Sequence, residues 1–163
     1  MDSIHVTLPD GKSLEIPRGT RIDEIAPAIA TNGNIIAAKM DGCPVDLSCR
    51  LDSDCSLTWV SIDSPDGLDV LRHSTAHLMA QAVQSLFPGT QVTIGPTIED
   101  GFYYDFKRDR AFTPEEIEKI EARMEEIAKA NLKVTREEMP RIQAIELFRA
   151  MGEDYKVAII EDL

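Results

Sequence analysis

Apolar and polar residues alternate through Ile4-His5-Val6-Thr7-Leu8 and again from Ser13 to Ile16, and the turn formers Pro9-Asp10-Gly11-Lys12 lie between them. The pattern predicts an antiparallel hairpin. Thr20 with Asp23 gives a capping-box-like start to a helix that carries Ile22, Ile25, Ala26 and Ile29 on one face, holds Pro27 within it, and stops at Asn32-Gly33. A buried strand follows from Ile35 to Met40, then a turn at Asp41-Gly42, a short strand from Val45 to Leu47, and a final strand from Ser56 to Ile62. The predicted order over residues 1–62 is ββαβββ.

Asp63-Ser64-Pro65-Asp66-Gly67 groups five turn-forming residues between two strongly patterned segments and reads as a linker over 63–67. A helix is expected from about Leu68 to Phe87, with Leu71, Leu78, Ala82 and Leu86 on its core stripe, ending at Pro88-Gly89. Gln91 to Ile94 and Phe102 to Phe106 read as paired strands around Gly95-Pro96. Thr113-Pro114-Glu115-Glu116 then supplies an N-cap, a first-turn proline and a capping-box glutamate to a helix with Ile117, Ile120, Met124 and Ile127 at helical spacing. Lys133 to Glu138 is expected to be a strand, Pro140 to Met151 a helix stopped by Gly152, and Tyr155 to Ile160 a last strand. The fold class is therefore α+β in two units, 1–62 and 68–163.

The chain has 163 residues, 43% hydrophobic and 28% charged, which supports real cores in one domain or two small ones. No apolar run reaches the ~20 residues of a membrane span and the N-terminus lacks the features of a secretory signal, so a cytoplasmic location without membrane partners is expected. The formal net charge of −12 argues against tight independent binding of nucleic acid. Lys107-Arg108-Asp109-Arg110 reads as a solvated loop. Cys43, Cys49 and Cys55, six residues apart with no nearby histidine partner, fit neither a zinc knuckle nor a disulfide framework and read as reduced thiols.

Two of the three histidines fall in Arg72-His73-Ser74-Thr75-Ala76-His77-Leu78. On a helix the two rings sit about 40° apart around the axis, so they point the same way. His73 and His77 share the side of Ser74, Gln81 and Gln84, away from the predicted core stripe. Paired neutral imidazoles can hold a metal, position a water, or exchange protons with a substrate near neutral pH. The metalloprotease form of this spacing needs a glutamate after the first histidine, and Ser74 stands there. His5 reads as a surface strand residue.

Leu8-Pro9-Asp10-Gly11, Gly19-Thr20, Ala38-Lys39-Met40-Asp41-Gly42 and Val45-Asp46-Leu47 resemble the ubiquitin-like TGS module, a β-grasp fold. The histidine helix, with Ile94-Gly95-Pro96 and Gly101-Phe102-Tyr103-Tyr104-Asp105, resembles the editing domain of bacterial-type threonyl-tRNA synthetases. That resemblance implies that His73 and His77 are catalytic in editing and that Tyr104 and Lys156, the latter in Asp154-Tyr155-Lys156-Val157, bind substrate. Read from the residues alone, Tyr104 would be strand packing and Lys156 a solvated edge residue.

The family's editing site also uses a downstream Cys-x-x-x-His element, and no cysteine follows Cys55 here. The resemblance therefore implies an N-terminal portion of a longer enzyme, with an incomplete editing domain that is inactive alone. For the parent it implies ATP and magnesium, a zinc in the catalytic core, tRNA(Thr) as partner and a homodimer formed through other domains. It implies no cofactor for this portion. The reaction expected is ligation of threonine to tRNA, with hydrolysis of seryl-tRNA(Thr) made in error. Two further readings stand beside it: a TGS-based regulatory or interaction module without catalysis, and a metalloprotein using His73 and His77, ranked last because spacing places no third ligand.

Overall fold

The computed structural model describes residues 2–29 and 34–163. The chain divides into two compact units, Met1–Leu71 and Arg72–Leu163. In the first, β1 (Ser3–Thr7), β2 (Ser13–Pro17), α1 (Ile22–Ile29), β3 (Ile35–Met40), β4 (Cys43–Val45) and β5 (Cys55–Ser61) follow in the predicted ββαβββ order. The sheet runs β2-β1-β5-β3-β4, with β1 and β5 parallel at its centre and the outer pairs antiparallel. This is the β-grasp arrangement. Alternation along β1 sends Ile4 and Val6 inward, where they meet Ile22 and Ile25 of α1 and Leu8, Ala38, Leu51 and Leu57.

Three local expectations in this unit are corrected. Thr20 does not cap α1: its hydroxyl donates to the Pro17 carbonyl at 2.6 Å, and the Glu24 carboxylate instead accepts from the Arg21 amide at 3.4 Å. The fourth strand is Cys43–Val45 rather than Val45–Leu47, because Asp41 (φ 50°) and Gly42 (φ 83°) form a two-residue turn that pairs Met40 directly with Cys43. The final strand begins at Cys55 and ends at Ser61. The predicted stop at Asn32-Gly33, and the side chains of Ala26 and Ile29, lie outside the described residues. Cys43, Cys49 and Cys55 are free thiols.

The long helix α2 spans Pro65–Leu86 and so begins three residues earlier than predicted. Ser64 is its cap, accepting from the Gly67 amide at 3.0 Å, and Pro65 occupies the first turn. Its buried side chains are Ala76, Ala80, Ala82 and Val83, whereas Leu71 and Leu86, expected in the core, are exposed. The buried stripe is rotated relative to the sequence reading because alanines allow close approach where leucines were expected to fill space.

In the second unit Ala82 and Val83 pack against Ile120 and Ile127 of α3 (Pro114–Ala130), with Leu78, Met79, Phe87, Phe106, Phe112 and Met124 around them. The α3 capping box is formed as predicted by Thr113 and Glu116. Between α2 and α3 the chain makes a long interrupted hairpin: β6 (Gln91–Val92) pairs with β9 (Phe106–Lys107), and β7 (Thr97–Ile98) with β8 (Gly101–Phe102). The expected strand pair is thus broken near Gly95. The basic cluster is solvated at Lys107, Asp109 and Arg110, but Arg108 is not, since it lies between the rings of Phe87 and Phe112 and shares the Glu116 carboxylate with Arg110.

Two predicted strands are absent. Residues 133–138 form no element, and Val134 is 92% exposed. Residues 155–160 lie in a helix, α5 (Asp154–Asp162), which packs on α4 (Arg141–Ala150) and buries Val157. A short apolar run is ambiguous between helix and strand, and packing against a helix decided it here.

Candidate functional site

α2 carries His73 and His77 on one exposed face, as the spacing predicted. Their Nε2 atoms are 3.0 Å apart and the rings meet edge to face, with centroids 4.6 Å apart. One imidazole donates and the other accepts, so the pair fixes complementary tautomers. His77 opens onto a cleft of about 450 Å³, lined also by Gln81, Gln84, Ser85, Val92, Tyr104 and Lys156. The structure thus brings Tyr104 and Lys156 to one cleft with His77, and attaches His73 to it through the imidazole pair.

Tyr104 is delivered by the interrupted hairpin. Thr93 and Ile94 exchange backbone hydrogen bonds with Asp105, and the Tyr103 amide reaches the Pro96 carbonyl at 3.4 Å, so Tyr104 lies opposite Gly95. A Cβ on Gly95 would fall 2.2 Å from Tyr104 Cδ2, so only glycine admits the ring there. Phe106 stacks on the ring at a centroid distance of 4.9 Å. Sequence reading took Gly95 as a turn residue and missed this role.

Lys156 comes from the first turn of α5, placed there because residues 155–160 are helical. Its Nζ lies 5.3 Å from the centre of the Phe148 ring and 3.8 Å from Glu153 Oε2. Glu153, at the N-cap of α5, is only 6% exposed. Its other carboxylate oxygen accepts from the side-chain amide of Gln84 on α2. Sequence reading missed Glu153 as well.

Burial pushes the His77 pKa below 6.5, and the neighbouring His73 and Lys156 add to the effect. Near neutral pH His77 is therefore an uncharged base. Burial raises the Tyr104 phenol above its ordinary value, with the Glu153 carboxylate assisting, so Tyr104 is a hydrogen-bond donor. The cleft combines a neutral base, a phenol donor and an ammonium, the set needed to activate water and receive negative charge on oxygen. Among the described residues no group of three or more His, Cys, Asp or Glu side chains could hold a metal ion, and no helix is long and apolar enough to cross a membrane.

Residues 4–61 match the TGS domain family. Over its whole length the chain is 52% identical to a threonine–tRNA ligase from a Geobacter species, covering 26% of that protein. It is also 52% identical over 99% of its length to the ligase of Anaeromyxobacter dehalogenans and over 98% to that of Legionella pneumophila, covering 25% of each. The chain thus spans about a quarter of the length of these relatives. It is a TGS-containing α+β protein, homologous along its full length to the N-terminal region of bacterial threonine–tRNA ligases.

Proposed function

We propose that the cleft between α2, the interrupted hairpin and α5 is the hydrolytic part of a threonine–tRNA ligase, and that it acts on the ester of seryl-tRNA. The observation that carries this reading is the convergence of His77, Tyr104 and Lys156 on one cleft, with His73 bonded to His77. Water attacks the ester carbonyl, an imidazole of the pair takes the proton, and Lys156 and Tyr104 receive the developing oxyanion. The proton then passes to the leaving ribose oxygen, so the products are serine and tRNA with a free terminal hydroxyl.

Such a site answers a limit of recognition. Serine lacks one methyl of threonine, and a methyl discriminates by only about 1–3 kcal/mol, so a synthetic site that accepts threonine also accepts some serine. A second site that hydrolyses the smaller ester restores accuracy. In this reading the parent ligates threonine to tRNA(Thr) in the cytoplasm with ATP and magnesium, and its zinc and dimer contacts involve residues other than those of this chain. The 163 residues by themselves turn over slowly, because the family's downstream Cys-x-x-x-His element is not encoded in them and lost positioning alone costs about 100-fold.

Binding is testable on the chain directly. Titrating isotope-labelled protein with a serine amide of 3′-amino-3′-deoxyadenosine, a stable mimic of the tRNA terminus, should shift resonances of His73, His77, Tyr104 and Lys156. Shifts confined to residues outside the cleft would overturn the reading.

A further inference from the structure

Glu153 is a buried carboxylate to which the reaction above gives no part. Its Oε1 is held by Gln84, whereas its Oε2 has no hydrogen-bond partner among the described residues and lies 3.8 Å from Lys156 Nζ. A carboxylate is buried at a cost of several kcal/mol unless it is paired, so this oxygen requires a cation beside it. The Lys156 ammonium is the one that meets it. The separation is too long for a hydrogen bond, and the three N–H donors of Lys156 are not consumed by Glu153.

The placement of the partners gives this pair its direction. Gln84 lies two turns beyond His77 on α2, at nearly the same angle around the axis. Glu153 lies three residues before Lys156, at the start of α5. Through the Gln84 amide the carboxylate is fixed to the helix that carries the imidazoles, and through its charge it fixes the ammonium. Because Glu153 itself does not line the cleft, the negative charge stays beneath the wall while the positive charge faces the ligand.

We propose that Glu153 is a positioning residue, which ties Lys156 to the histidine helix through Gln84 and holds its ammonium at the cleft wall with donors free for an ester or oxyanion oxygen. Its role for that ligand rests on the hydrolytic reading above. The tether itself does not, and the test below uses no substrate.

In the isotope-labelled chain, at low temperature and mildly acidic pH where ammonium exchange with water is slow enough to follow, the rate is read from the Lys156 ammonium resonances, assigned by their loss in Lys156→Met. Glu153→Gln should speed that exchange about fivefold, the scale of losing one partly screened ion pair. Lys39, paired with Asp66 at 2.7 Å, should be unchanged and serves as the control. An unaltered Lys156 exchange rate in folded Glu153→Gln would overturn the proposal. If that variant does not fold, Lys156→Met provides the reciprocal reading, because the carboxyl carbon resonance of Glu153 must then move. An unmoved carboxyl resonance would equally overturn it.

Discussion

The Nε2 atoms of His73 and His77 are 3.0 Å apart, so the two imidazoles share one hydrogen bond and cannot both be protonated without breaking it. One turn of α2 creates that distance, and the pair lies on the exposed face of the helix instead of in the core, with His77 opening onto the cleft. His77, its pKa lowered below 6.5, is the proton acceptor of the pair at neutral pH, and its orientation is set by the bond to His73.

His77 should titrate below the ordinary histidine value of 6.5, with burial as the largest cause. Lys156→Met and His73→Ala should each raise its midpoint, since each removes a group that disfavours the imidazolium, and burial should still hold it below 6.5. The folded state then binds fewer protons than the unfolded state as pH falls through 6.5, so this group's contribution to stability declines in that direction. A histidine-resolved NMR titration checks both shifts, and an unmoved midpoint in both variants would contradict the assignment.

Gly95→Ala should destabilise the second unit by about 1–3 kcal/mol, because the new methyl must displace the Tyr104 ring from its place against Phe106. Urea denaturation measures the loss. The Tyr104 ring resonances should move in the folded variant, and an unchanged spectrum would mean that the ring does not pack on Gly95.

The Glu116 carboxyl is held down to about 2 from 4.5, chiefly by its hydrogen bond with Arg108 and also by Arg110. Its stabilisation is thus fully present above pH 4.5 and lost as pH falls toward 2. Glu116→Gln should flatten the acid limb of the stability curve over that window. An acid titration followed by circular dichroism would show the same limb in both proteins if the pairing were unimportant.

Leu57 is 1% exposed in the core of the first unit, and Leu57→Ala should cost about 2–5 kcal/mol. The only tryptophan, Trp59, is on the same strand and reports the transition by fluorescence. An unchanged midpoint would place Leu57 outside the core.

The β-grasp order was legible because strict alternation in β1 and the turn chemistry of Asp41-Gly42 leave few choices. The same turn logic misled at Ser64-Pro65, where a capping serine and a first-turn proline start α2 but read equally well as a loop. Ser64 and Pro65 gain helical meaning only from the packing that follows. His73 and His77 were legible as a pair since helical spacing alone puts them on one face. Lys156 could not be placed by periodicity: as a strand residue it would alternate away from its neighbours, and only the docking of α5 on α4 sets it over Phe148. Glu153 and Gly95 were invisible for a related reason, since the significance of Glu153 lies in its contact with Gln84, 69 residues away, and that of Gly95 in a close approach to Tyr104 across the interrupted hairpin.

The most direct measurement uses a full-length threonine–tRNA ligase carrying this region, with His73 and His77 both replaced by alanine. Hydrolysis of seryl-tRNA should fall by about 100-fold or more, the scale of losing a positioned proton acceptor, while charging with threonine stays near the unmodified rate. Unchanged deacylation in the double variant would contradict the account.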